Sequence, residues 1–262
     1  MKILYLGIGK AVAQRAATAG APLSITARNA IRLERVVSKL QVASTLCSGV
    51  AGDIGKGYEE IERLRKEVVR RGEEIDIVIV CAGINQQGEF FGGWHSKADE
   101  IIEINFRGVV HICEVCLPVM RKRGKGKICV LSSLSAYRGL PGASVYGATK
   151  AAITSFCQSL NAELHNDPVE LICVHPGFVE TDAIQHLEHP KPFLRTPEDA
   201  AEHVMYAIAF GRQHYGFPWI MEHVITAVTL LLPTPIYNFL LSRTSGPPTR
   251  QTSALFGQSF DS

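Results

Sequence analysis

A surplus of charge of one sign is missing from this 262-residue sequence: 27 lysines and arginines stand against 25 aspartates and glutamates, a net charge of +2 with histidine neutral. That balance argues against a surface built to neutralise a phosphate backbone, so nucleic acid is not an expected partner. The local runs Arg70-Arg71 and Arg121-Lys122-Arg123 close amphipathic segments, where basic side chains suit helix C-termini and stay solvated. Uninterrupted apolar runs of membrane-spanning length, about 20 residues, are also missing. The most apolar region, FPWIMEHVITAVTLLLPTPIYNFLLSR, is broken by Glu222 and His223 near one end and by Pro233 and Pro235 near the other. The apolar start of the chain is short and runs directly into a glycine turn, so no secretory signal is expected. Cysteine is present, but ligand-type pairing is not. The seven cysteines are scattered through mostly apolar segments, which fits reduced thiols and a cytoplasmic location. Cys113 and Cys116 form a C-x-x-C without a second pair, and His186 and His189 lack a third ligand, so core packing and a solvated loop are the readings. There are no internal repeats or low-complexity blocks.

What is present is an alternation of short apolar runs with amphipathic segments, in a chain whose 46% apolar content can furnish one large core. Strands are expected at 2–6, 23–27, 42–50, 75–81, 127–131 and 169–175. Helices are expected at 9–19, 30–40, 58–71, 97–122, 145–164 and 196–210, the last opened by Thr196-Pro197-Glu198. Gly83 to Gly93 is rich in turn residues, and two short helices are expected after Phe217. The pattern predicts an α/β fold with a doubly wound parallel sheet, whose ligands bind beyond the carboxyl ends of the strands.

The stretch from Ser132 to Lys150, SSLSAYRGLPGASVYGATK, joins a strand end to a helix start. Tyr146 and Lys150 are four apart and share a helix face. A cation near a phenol stabilises phenolate, so a group with an ordinary pKa of about 10 can trade protons nearer neutrality. A serine hydroxyl delivered by the strand end can polarise a carbonyl beside it. The Tyr-Lys spacing alone is weak, with roughly one chance match in three such chains.

Further signals stand in order around it: Asp53-Ile54 after the third strand, Cys81-Ala82-Gly83 after the fourth, Asn105 within Ile104-Asn105-Phe106, and Pro176-Gly177-Phe178-Val179-Glu180-Thr181 after the sixth. Together with Ser133, Tyr146 and Lys150 they resemble the short-chain dehydrogenase/reductases over residues 2 to about 217. The resemblance implies a single-domain Rossmann fold with about seven strands and helices on both faces. It also implies hydride exchange between a nicotinamide cofactor and a carbonyl or alcohol. By the same resemblance Tyr146 is the general acid in reduction and the base in oxidation, Ser133 holds the substrate oxygen, and Lys150 binds the nicotinamide ribose and lowers the Tyr146 pKa. Asn105 anchors a proton-relay water. Ser132 is the alternative acting serine, and a helix-kink residue is the alternative reading of Asn105. Ala82 and Gly83 admit the adenosine ribose, Asp53 and Ile54 face the adenine, and Pro176, Gly177, Val179 and Thr181 line the nicotinamide side. At the end of the second strand Arg28 stands where an NAD enzyme carries an acid, so NADP(H) is preferred, with NAD(H) the alternative. The family dimerises through helices equivalent to Phe106–Met120 and Val145–Leu164, so a homodimer or homotetramer is expected.

One departure is plain. The family's first strand ends in T-G-x-x-x-G-x-G, whereas this chain reads Lys2-Ile3-Leu4-Tyr5-Leu6-Gly7-Ile8-Gly9, about four residues short. Gly7, Ile8 and Gly9 retain a helix N-terminus for the pyrophosphate with fewer donors. Either the loop is rebuilt more tightly or the chain is a truncated variant of a normal enzyme; weaker cofactor binding is expected than with a full loop. Residues 182–196 occupy the family's substrate lid, and 218–243 form an apolar helical extension. This extension is read as cover for the substrate mouth, with peripheral membrane contact as the alternative; both point to a lipophilic ketone or alcohol substrate. Residues 244–262, rich in Ser, Thr, Gly and Pro, are expected to be disordered. The competing classes are a cofactor-poor scaffold that keeps the fold and a membrane-surface lipid-interacting protein.

Overall fold

The computed structural model describes residues 2–3, 7–42, 46–70, 74–85, 95–185 and 190–242. Seven parallel strands form one sheet: β1 (Lys2–Ile3), β2 (Leu23–Ala27), β3 (Cys47–Ala51), β4 (Ile77–Val80), β5 (Gly126–Leu131), β6 (Val169–Pro176) and β7 (His214–Phe217). Their spatial order is β3-β2-β1-β4-β5-β6-β7, so the winding reverses between β1 and β4. Parallel strands covered on both faces read as apolar runs, and β4 (IVIV), β5 and β6 are buried almost throughout. On one face α1 (Ile8–Thr18) packs against α2 (Ala30–Gln41) and against α7 (Pro197–Ala209). On the other lie α3 (Tyr58–Arg70), α5 (Gly108–Arg123) and α6 (Ser144–Glu163), whose apolar residues join one core cluster with Ile128, Val130 and Leu171.

Local sequence explains most element ends. Asn29 accepts a hydrogen bond from Arg32 N (2.9 Å) and starts α2. Thr196 accepts from Asp199 N (3.2 Å) to start α7 with Pro197 in its first turn. Gly124 ends α5 in the left-handed conformation (φ 70°), where a side chain would be strained.

Two expectations are corrected. The third strand starts at Cys47, not Val42, because Val42 keeps helical dihedrals (φ −64°, ψ −35°) at the end of α2. The long helix expected at 97–122 is interrupted: α4 (His95–Ile102) runs into a wider π-helical turn, Glu103–Arg107, before α5 begins. Part of the expected first strand (4–6), most of the turn-rich 83–93 stretch, His186 and His189 of the lid, and the 244–262 tail lie outside the described residues.

Beyond β7 come α8 (Trp219–Leu231) and α9 (Thr234–Ser242), neither of which buries a residue completely. They are latched to the loop after Ser133. Arg138 donates to the Val228 (2.6 Å) and Thr229 (3.3 Å) carbonyls and lies 4.0 Å from the Tyr237 ring centre, while Tyr237 donates to Gly139 O (2.8 Å). At the start of α8, Tyr137 donates to Glu222 (2.9 Å) and stands 2.6 Å from Nε2 of His214, with His175 packed against both rings. Outward, Trp219 is 67%, Leu230 77% and Leu231 80% exposed. No described helix is long and apolar enough to cross a membrane.

The Glu222 hydrogen bond raises the His214 pKa above its ordinary 6.5 despite partial burial, and the same bond holds Glu222 below its ordinary 4.5. The His214 contribution to the latch is therefore complete below pH 6.5 and is lost as pH climbs through the higher folded value. That of Glu222 is complete above pH 4.5 and is lost on acidification. Hydrogen exchange across residues 219–231, corrected for intrinsic rates, is expected to show most protection between these limits and less toward pH 8, with Glu222→Gln flattening the alkaline fall.

Candidate active site

The carboxyl end of β5 delivers Leu131, Ser132 and Ser133, and the first turns of α6 deliver Tyr146 and Lys150 to the same place. All five line a cavity of about 520 Å³ together with Gly83, Pro176, Gly177, Val179 and Thr181. Lys150 is 4% exposed, donates to the Leu131 carbonyl (2.8 Å), and has its Nζ 5.7 Å from the Tyr146 ring centre. Burial pushes its pKa down to about 8. Desolvation raises the Tyr146 phenol above its ordinary value, and a hydrogen bond with Ser133 opposes that rise. For the protein alone burial outweighs that hydrogen bond, so the phenol stands above its ordinary value rather than below it.

The geometry decides between the two serines. Ser132 is spent on α6, donating to Lys150 O (3.0 Å) and pairing with Thr154 Oγ1 (2.9 Å). Ser133 faces Tyr146 and is held by Ser135, whose N–H (3.1 Å) and hydroxyl (3.0 Å) both donate to its Oγ. Asn105 is completely buried in the π-helical turn. Its Oδ1 accepts from Ile84 N (2.7 Å), and its Nδ2 donates to Ile84 O (3.0 Å) and Thr149 Oγ1 (3.2 Å). It ties the loop after β4 to α6, a positioning role that also explains the break between α4 and α5. Gly83 lies above this clamp, where a methyl would meet Asn105 Oδ1 and Lys150 Nζ at 3.4 Å.

Toward the β2 edge of the sheet the cavity is lined by Arg28, Arg32 and Glu100, and Ile8 enters it from the start of α1. Arg28 Nη1 is 3.2 Å from Glu100 Oε1. Several expected cofactor residues do not reach this space. Asp53 turns its carboxylate onto Gly55 N (3.0 Å), capping a turn at Ile54–Lys56, while Ile54 and Ala82 are packed in the core. Gly9 is buried in α1. Gly7, at φ 104°, lies so close to Thr181 that a methyl would sit 2.8 Å from its Cγ2, and Gly7 lines a separate 230 Å³ cavity with Lys10 and Glu180. The shortened turn therefore presents Ile8 rather than its two glycines to the main cavity.

Arg32 and Glu100 also line that cavity and were not singled out from sequence. Arg32 follows Arg28 by four residues, in the first turn of α2, which was a readable signal; Glu100 arrives from α4, which no spacing argument connects to β2. The base of the 182–196 segment is closed by pairing between Val179 and Arg195, with Arg195 N donating to Phe178 O (3.0 Å) and accepting at its carbonyl from Glu180 N (2.8 Å).

The chain is similar in sequence and fold to known proteins. An uncharacterized oxidoreductase of Myxococcus xanthus is 29% identical over 232 residues, covering 88% of this chain and 91% of that protein. Dehydrogenase/reductase SDR family member 4 of Sus scrofa is 30% identical over 208 residues, covering 74% of each. A solved short chain dehydrogenase/reductase family protein superimposes with a TM-score of 0.70 at 27% identity, over 82% of this chain and 94% of that one. The family model for short chain dehydrogenases matches residues 5–192, the span that holds Ser133, Tyr146 and Lys150, and the chain belongs to that family.

Proposed function

We propose that the protein is an NADP(H)-dependent oxidoreductase that interconverts a lipophilic ketone and a secondary alcohol, with Tyr146 as general acid and base. The observation that carries this reading is the meeting of Ser133, Tyr146 and buried Lys150 in one cavity that Arg28 and Arg32 also line. The cavity suits a dinucleotide in its donor set. Guanidinium groups that can pair with a phosphate line the same cavity as the ammonium–phenol pair, and Gly83 lines it close to Lys150. The first turn of α1 carries no acidic residue to oppose a pyrophosphate. Lys150 would meet the nicotinamide ribose, Ile8 and Thr181 the middle of the cofactor, and Arg28 and Arg32 its adenosine end. When bound, the cofactor supplies or accepts the hydride.

The chain's own residues do the rest. Ser133, oriented by Ser135, holds the substrate oxygen within reach of the phenol. A phenol with a raised pKa remains protonated at neutral pH, so Tyr146 is set to donate to that oxygen during reduction. The Lys150 ammonium stabilises the phenolate left behind, which makes its charge a condition of the reaction. The Asn105 clamp holds Thr149 and the loop at Ile84 around this pair. The close Gly7–Thr181 packing supports weaker cofactor binding than a full glycine loop provides.

The outward apolar surface of α8 and α9 favours a second element, peripheral contact with a lipid surface. Between Trp219 and Ser242 the one formally charged residue is Glu222, and it is bound by Tyr137. Such a surface also fits delivery of a lipophilic substrate to the loop after Ser133.

NADPH oxidation with a panel of hydrophobic ketones tests the central reading. Tyr146→Phe is expected to lower kcat by at least about a hundredfold, and unchanged turnover would overturn the role of the phenol. Reductive kcat/KM is expected to fall as pH rises through about 8, where Lys150 loses its charge; a flat profile to pH 10 would contradict that assignment. Co-sedimentation with phosphatidylcholine vesicles is expected for the protein and to be lost in Leu230→Ser/Leu231→Ser, whereas equal recovery of both in the supernatant would remove the lipid contact.

A further inference from the structure

The adenosine end of the cavity contains a charge that the NADP(H) reading does not use. Arg28, at the last turn out of β2, pairs through Nη1 with Oε1 of Glu100 at 3.2 Å, and both line the cavity beside Arg32. The Arg28 and Glu100 side chains are 35% and 54% exposed, so the pair is reachable from solvent and from a ligand. Neighbouring Ile101 is completely buried and anchors α4, which frees Glu100 for a role other than packing. The Asn29 cap on Arg32 N fixes the short turn between the two arginines.

A phosphomonoester carries a charge of about −1.5 to −2 near neutrality. Placed against Arg28 it meets Glu100, and it must displace that carboxylate or bear its repulsion. A ribose 2′-hydroxyl behaves in the opposite way, because it can donate a hydrogen bond to a carboxylate. NAD-binding sheets usually carry such an acid at the end of the second strand, where this chain has Arg28. Here a carboxylate reaches the same region from α4.

We propose that Glu100 is a cofactor-specificity residue: its carboxylate accepts the adenosine 2′-hydroxyl of NAD(H) and opposes the 2′-phosphate of NADP(H), so that Arg28 and Glu100 together set the ratio of the two affinities. The proposal deepens the dinucleotide reading and rests on it. It makes the site tolerant of both cofactors, with the acid restraining the preference that the arginines create.

Fluorescence titrations of NADPH and NADH against the full chain and Glu100→Gln test it, with adenosine 2′,5′-bisphosphate and AMP as competitors. Glu100→Gln is expected to raise the ratio of the NADH to the NADPH dissociation constant by about tenfold, tightening the 2′-phosphorylated ligands and weakening the others. Glu100→Asp is expected to fall nearer the original ratio. A ratio that moves by less than twofold, or two affinities that shift together, would overturn the role of Glu100 while leaving the dinucleotide reading in place. An original protein that binds neither dinucleotide would overturn both.

Discussion

The hydrogen bond from the Lys150 ammonium to the Leu131 carbonyl joins the two elements on which the site depends. It crosses from the first turns of α6 to the end of β5, and it gives a nearly buried cation an acceptor in a region that would otherwise expel it. Ser132 strengthens the same seam by donating to Lys150 O. With strand and helix locked in this register, Ser133 and Tyr146 are brought to the wall of one cavity. The cost of burial appears in both titrating groups, since it lowers the lysine and raises the tyrosine. A charged ligand or substrate oxygen entering the cavity would therefore act on groups already held away from their ordinary values.

Around that seam the fold supplies two adjustable margins. One is the N-terminal turn, where Gly7 against Thr181 narrows the approach to α1. The other is the C-terminal pair of helices, held to the loop after Ser133 by Arg138, Tyr137 and Tyr237. Those contacts fall on residues that follow Ser133 closely, so the packing of α8 and α9 helps to fix the loop after the serine.

Much of the fold was legible in local pattern. Capping residues and apolar runs placed β2, α2, α6 and α7 within a residue or two, since Asn29 and Thr196 announce helix starts and buried parallel strands carry few polar residues. The π-helical turn at Glu103–Arg107 was not legible, because its cause is a tertiary clamp from Asn105 to Ile84 and Thr149. Asp53 shows a local use that the resemblance did not indicate: its place after the third strand suits an adenine contact, and its Oδ1 also accepts from the amide of Gly55.

The sequence by itself determined the family and the strand and helix order, because several motifs standing in one order around Ser133, Tyr146 and Lys150 carry what the Tyr-Lys spacing alone does not. Tertiary structure alone decided that Ser132 is structural and Ser133 faces the phenol, that Ile8 replaces Gly7 and Gly9 in the cavity, and that Glu100 meets Arg28. Each of those outcomes depends on residues distant in sequence competing for the same hydrogen bond or the same volume. Such competition is settled only when the chain is packed.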